Sequence, residues 1–266
     1  MARGARPDST GAIGSLQQIQ MDDGGNLLNT NSHNIRHALF LLGEPRVEWV
    51  LGTVGRITDG MERGLPAEDA CLGLVGLAHG TTILIQGNLV RGLGQGCRVI
   101  GTDGVMELDT TRPPDDEIPS DAPMYMPEGP SARYKTEIGL VRYFSAGTNG
   151  WVQVEAPWHE AWAHQCQEAI DWVEGRVEKP ISRGKRGRAV QEIMMALHES
   201  ARKKQRVYLP LRTRINPLRL MVEHGDLPAE WPGSYERCAR IIHKAYPGPP
   251  RLEAPCIADA SPRSCS

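Results

Sequence analysis

From Val47 to Glu155 the chain is a run of short segments rich in β-formers and divided by turn signals, whereas helical spacing appears only before and after it. Strands gathered in the middle and helices at the two ends argue for an α+β fold. The expected architecture is one mostly antiparallel open sheet with helices packed on one face. Val47 to Val54 reads as one strand. Ala70 to Leu77 and Thr81 to Gln86 are two more, joined through His79-Gly80 as a hairpin. Cys97 to Ile100 and Val105 to Leu108 flank Gly101-Thr102-Asp103-Gly104. Asp-Gly tolerates the positive φ of tight hairpins, so a turn is expected there. Ile138 to Phe144 and Trp151 to Glu155 complete the set. Ahead of it, Ile13 to Met21 places Ile13, Ile19 and Met21 on one face under period-2 alternation, until Asp22-Asp23-Gly24-Gly25 breaks the strand.

Ser32 to Leu42 reads as a helix. The Ser32 hydroxyl is the expected cap, and Ile35, Ala38, Leu39 and Leu42 form one apolar stripe. Gly43 and Pro45 end it. Trp158 to Val173, Ala189 to Ala201, Pro217 to Glu223 and Tyr235 to Ala245 are further helices, and Arg183 to Arg188 is a basic solvated loop leading into the second of them. Residues 110–133, rich in proline and acidic side chains, are a long polar loop. The domain reading is a loose leader over 1–11, one domain over 12–246 and a disordered tail over 247–266.

Formal net charge is -2, so no basic field points to nucleic acid or to an anionic membrane surface. No apolar run approaches the roughly 20 residues that a spanning helix needs, and no secretory signal follows Met1. The six cysteines have no C-x-x-C spacing and read as reduced thiols, which implies a cytoplasmic protein.

Dinucleotide binding through a Rossmann turn needs G-x-G-x-x-G after a strand and before a helix. Gly92-Leu93-Gly94-Gln95-Gly96-Cys97 misplaces the third glycine and runs on into strand, so it reads as a β-turn. His33 and His37, one helical turn apart, lack a third metal ligand, and no metal is expected. Glu178-Lys179-Pro180 is given a structural reading.

Gly24-Gly25-Asn26-Leu27-Leu28-Asn29-Thr30-Asn31-Ser32-His33, followed by Leu42-Gly43-Glu44-Pro45 at the helix end, resembles the C-terminal domain of the glucose–fructose oxidoreductase / inositol dehydrogenase / MocA family. Glu68-Asp69-Ala70, His79-Gly80, Ile100-Gly101-Thr102-Asp103-Gly104, Glu192 to Ala196, Glu199-Ser200-Ala201-Arg202 and Val207 to Leu211 continue the likeness in order, over residues 12 to about 228.

The resemblance implies a two-domain NAD(P)-dependent oxidoreductase acting on a sugar or polyol. In it, an N-terminal Rossmann domain carries NAD or NADP and a catalytic lysine. Gly11 to Leu16 match the point where the second domain begins, so the Rossmann domain is expected to be absent and the chain truncated. No cofactor is expected to bind this chain alone. Carried over by position, His33 is the family histidine and Asn29 stands where members have an Asp; these are the candidate catalytic residues. Asn31, Arg36 and His37 are candidate substrate contacts, with Arg36 where members often have a second Asp. Gly24 and Gly25 are the candidate cofactor-facing residues. The family also implies a homo-oligomer through the open sheet face. Asn29 and the missing domain keep a second reading alongside: a non-catalytic binding or assembly module derived from that family.

Overall fold

A computed structural model of the chain describes residues 11–23, 25–62, 64–87, 96–109, 140–154 and 161–229. The leader up to residue 10, Gly24, the 110–133 loop, the helix expected at Tyr235 to Ala245 and the tail lie outside these residues.

The elements in chain order are β1 (Leu16–Asp23), α1 (Thr30–Leu41), β2 (Val47–Gly55), β3 (Met61–Glu62), β4 (Leu65–Pro66), β5 (Ala70–Leu77) and β6 (Thr82–Gly87). They continue with β7 (Gly96–Gly101), β8 (Gly104–Asp109), β9 (Leu140–Ser145), β10 (Val152–Val154), α2 (Ala161–Val173), α3 (Gly184–Lys203), β11 (Val207–Tyr208) and α4 (Pro217–Glu223). Among the described residues one nine-stranded sheet forms in the order β10-β9-β8-β7-β1-β6-β5-β2-β11. Only β1 and β6 run parallel; every other neighbouring pair is antiparallel. The mostly antiparallel sheet expected from the sequence is therefore present, with β1 at its centre.

Alternation decides which side of each strand meets the helices. Ile19 and Met21, Val50, Val75, Ile83 and Ile85, and Val99 face α1 and α3 and are buried. Ile35, Ala38 and Leu39 of α1, and Val190, Ile193, Met194 and Leu197 of α3, complete that core. On the other face Leu51 and Leu72 stand exposed, and Glu107 bridges Arg98 and Arg142 across three strands at 2.7 Å each.

Four local expectations need correction. β1 begins at Leu16, not Ile13. Ile13 is buried ahead of it, and its carbonyl accepts the Asp103 amide at 3.0 Å, while Ser15 takes the Thr102 amide at 2.9 Å. That bonding is why the β7–β8 hairpin forms without positive φ at Asp103 or Gly104: the chain ahead of β1 satisfies the turn amides. Glycine is required at 104 because a Cβ there would collide with the Phe144 carbonyl.

α1 begins at Thr30, and Ser32 lies inside it. α3 begins at Gly184, so the basic run Lys185 to Arg188 is helical. Arg186 ties that first turn down, reaching the Ile181 carbonyl at 2.8 Å and Glu44 at 3.4 Å. On α2, Cys166, Ile170 and Val173 are exposed.

Candidate functional site

The turn between β1 and α1 is built by Asn26, Asn31 and Ser32 of its own stretch and by Glu68 from beyond it. Asn29 is the residue before the first helical one, and its side chain does not cap the helix. Asn26 does that work instead. Its Oδ1 accepts the Asn29 amide at 2.8 Å, and its carbonyl accepts the Asn31 amide at 3.2 Å. Two of the unpaired amides at a helix start are thereby satisfied. The Ser32 hydroxyl, expected as the cap, donates back to the Asn29 carbonyl at 2.5 Å. A serine inside the first turn has that acceptor within reach.

Asn31 was expected to meet substrate, but it is wholly buried. Its Nδ2 reaches the Gly25 carbonyl at 3.3 Å, the Asn26 carbonyl at 3.4 Å and Cys71 Sγ at 3.9 Å, and its Oδ1 accepts from Asn34 at 3.1 Å. With both ends of the amide bonded, it braces the turn. Gly25 is also packed from within. A Cβ there would run into Thr30, and one on Gly87 of the neighbouring strand would meet Gly25 O. On the Gly25 side of the pair expected to face a cofactor, the turn is closely packed by the protein's own atoms. Gly24 lies outside the described residues.

Sequence reasoning missed the buried pair beneath this turn. The Glu68 and His198 side chains are both wholly inaccessible, with His198 Nε2 at 3.2 Å from Glu68 Oε2. The other Glu68 oxygen accepts the Leu27 amide in a short hydrogen bond. Glu68 was visible as part of a Glu-Asp pair; nothing in the sequence joined it to position 198. Its neighbour Asp69 has a different task, accepting the Ile57 and Thr58 amides at 2.5 and 2.6 Å to close the chain after β2. Burial, and next the charge of Glu68, push the Cys71 thiol up to about 12, so it stays protonated beneath the turn.

His33 stands exposed one turn into α1, with His37 on the following turn of the same face. The His37 imidazole lies below its ordinary value, chiefly through partial desolvation, then through the His33 and Arg36 charges. Arg36, the third expected substrate contact, is committed to the other end of the helix: its Nη1 pairs with Glu44 at 2.6 Å. The structure thus brings Gly25, Asn29 and His33 to one end of α1, with Asn31 beneath them, and separates Arg36 from them. Among the described residues no group of three or more His, Cys, Asp or Glu could hold a metal ion. Glu178 and Lys179 form an exposed surface pair at 2.7 Å.

The sequence matches the family described as "Oxidoreductase family, C-terminal alpha/beta domain" over residues 17–209. Many solved structures share the fold, among them the following three. A protein described as an NADPH-dependent oxidoreductase from Desulfitobacterium hafniense aligns with TM-score 0.57 at 13% identity, covering 74% of this chain and 57% of its own. The aldose–aldose oxidoreductase of Caulobacter crescentus, solved with glycerol, gives 0.56 at 18%, covering 75% and 57%. GenD2 from gentamicin A biosynthesis, solved with NAD, gives 0.50 at 18%, covering 76% and 57%. The chain therefore spans less than two thirds of each. No curated protein matches it.

Proposed function

Because the chain belongs to the Gfo/Idh/MocA oxidoreductase family through its C-terminal alpha/beta domain, we propose that it is the substrate-side domain of an NAD(P)-dependent oxidoreductase acting on a sugar or polyol. The observation that carries this reading is the braced turn, which holds Asn29 at the helix start and His33 exposed one turn on. Oxidising an alcohol to a carbonyl removes a hydride and a hydroxyl proton. His33 is the group suited to take the proton, since imidazole exchanges protons near neutral pH. Asn29 cannot act as a base; its amide serves to orient a substrate hydroxyl.

A nicotinamide cofactor supplies hydride acceptance in such an enzyme, and two fold relatives carry one in their names or contents. For this chain's own residues the proposal covers the proton's path alone. The glycerol of the Caulobacter relative supports polyols as the first ligands to try.

The test is a titration of the full chain with glycerol, myo-inositol and glucose, followed by NMR at assigned residues. Saturable shifts centred on Asn29, His33 and His37 are expected for at least one ligand. Shifts absent there, or spread evenly over the surface, would overturn the site. The amide at position 29 also favours a second reading, a non-catalytic module that binds the same ligand class without turning it over.

A further inference from the structure

His198 sits on α3 within a helix face of Val190, Ile193, Met194 and Leu197, and it is wholly buried. Among the described residues its one polar contact is Nε2 to Glu68, and its buried Nδ1 has no hydrogen-bond partner. An imidazole in that position is costly. A bare buried polar atom loses its water without compensation, whereas an aliphatic side chain there would lose nothing. The cost is offset where the ring holds another group in place.

A second N–H at Nδ1 would find no acceptor among the described residues, and the tautomer with its proton on Nε2 donates to Glu68 Oε2. Glu68 then has one oxygen held by α3 and the other free to accept the Leu27 amide. Leu27 lies in the turn that sets where α1 starts. The chain of contacts runs from α3 through Glu68 to the turn, and from the turn to Asn29 and His33.

We propose that His198 is a positioning residue: through Glu68 it fixes the Leu27 turn, and with it where α1 presents Asn29 and His33. The importance of that placement rests on the reading that this end of α1 is the reacting site. The proposal itself concerns position, and its test reads no turnover or ligand binding, so the two can fail separately.

The test is NMR on the full chain. Imidazole nitrogen shifts should show His198 protonated at Nε2 and bare at Nδ1. In His198→Leu the Leu27 amide should move upfield and exchange about tenfold faster or more, as fits the loss of a buttressed charge-assisted bond. The Asn29 and His33 resonances should move with it. His198→Gln, which can still donate to Glu68, should restore all three toward their original positions. That rescue is what separates positioning from mere filling of space. If His198→Leu does not fold, Glu68→Gln, which keeps the volume and weakens the acceptor, should shift the same three residues. An Nδ1-protonated ring, or a folded His198→Leu or Glu68→Gln chain with unmoved Leu27 and His33 signals, would overturn the proposal.

Discussion

Single residues here act chiefly by satisfying backbone groups in which a turn or helix would otherwise be deficient. Glu199, the clearest titratable case, instead holds other side chains. Its side chain is 1% exposed and is held by Arg202 at 2.7 Å, Lys203 at 2.9 Å and Thr213 at 2.6 Å. The Arg202 hydrogen bonds, foremost, bring its carboxyl from an ordinary value of 4.5 down to about 2. A depressed carboxylate stabilises the fold above its unfolded value and loses that contribution as pH falls through the folded one. Urea midpoints should therefore drop between about pH 5 and about pH 2, and Glu199→Gln should flatten that part of the acid limb. An unchanged acid limb in the variant would show that Glu199 contributes nothing there. At the candidate site the same kind of bonding was hidden from the sequence. Asn26 caps α1 although a serine stood in the expected place, and Glu68 finds its partners 41 and 130 residues away.

Elements were legible where their apolar period was long and uninterrupted. The stripe of α1, the β5–β6 hairpin and α4 at Pro217–Glu223 all lie where the sequence puts them, because each carries its own stop signal. Boundaries set by tertiary contact were not legible. α3 starts five residues early because Arg186 finds Glu44 and Ile181, and β1 starts late because Ile13 bonds the β7–β8 turn. On α2, Cys166, Ile170 and Val173 recur at helical spacing yet stand exposed, so period alone did not distinguish core from surface. The element that holds the architecture is α3, whose Leu197 is 2% exposed and lies across β2 and β5. Leu197→Ala should cost about 2–5 kcal/mol of unfolding free energy, read from denaturant curves. A loss well under 1 kcal/mol would mean that α3 is not part of the cooperative core.

At the scale of the whole molecule, the sheet face opposite α1 and α3 carries exposed Leu51, Leu72 and Phe144 beside the Arg98–Glu107–Arg142 ladder. A second copy of the chain is the proposed occupant of that face, since a twofold pairing would set like apolar surfaces together. Sedimentation should give a dimer at tens of micromolar, and Leu72→Glu should dissociate it; a monomer before substitution would remove the proposal. The role proposed for the site is narrower: the end of α1 does the proton chemistry of an oxidoreductase. The most direct measurement is turnover after joining this chain to a nucleotide-binding domain from its family, with an alcohol that the titration has selected. His33→Ala should lower turnover by about 10²–10⁴, the contribution of a positioned acid–base group, with the fold's stability little changed. Turnover within about twofold of the parent would leave His33 outside the chemistry and contradict the claim.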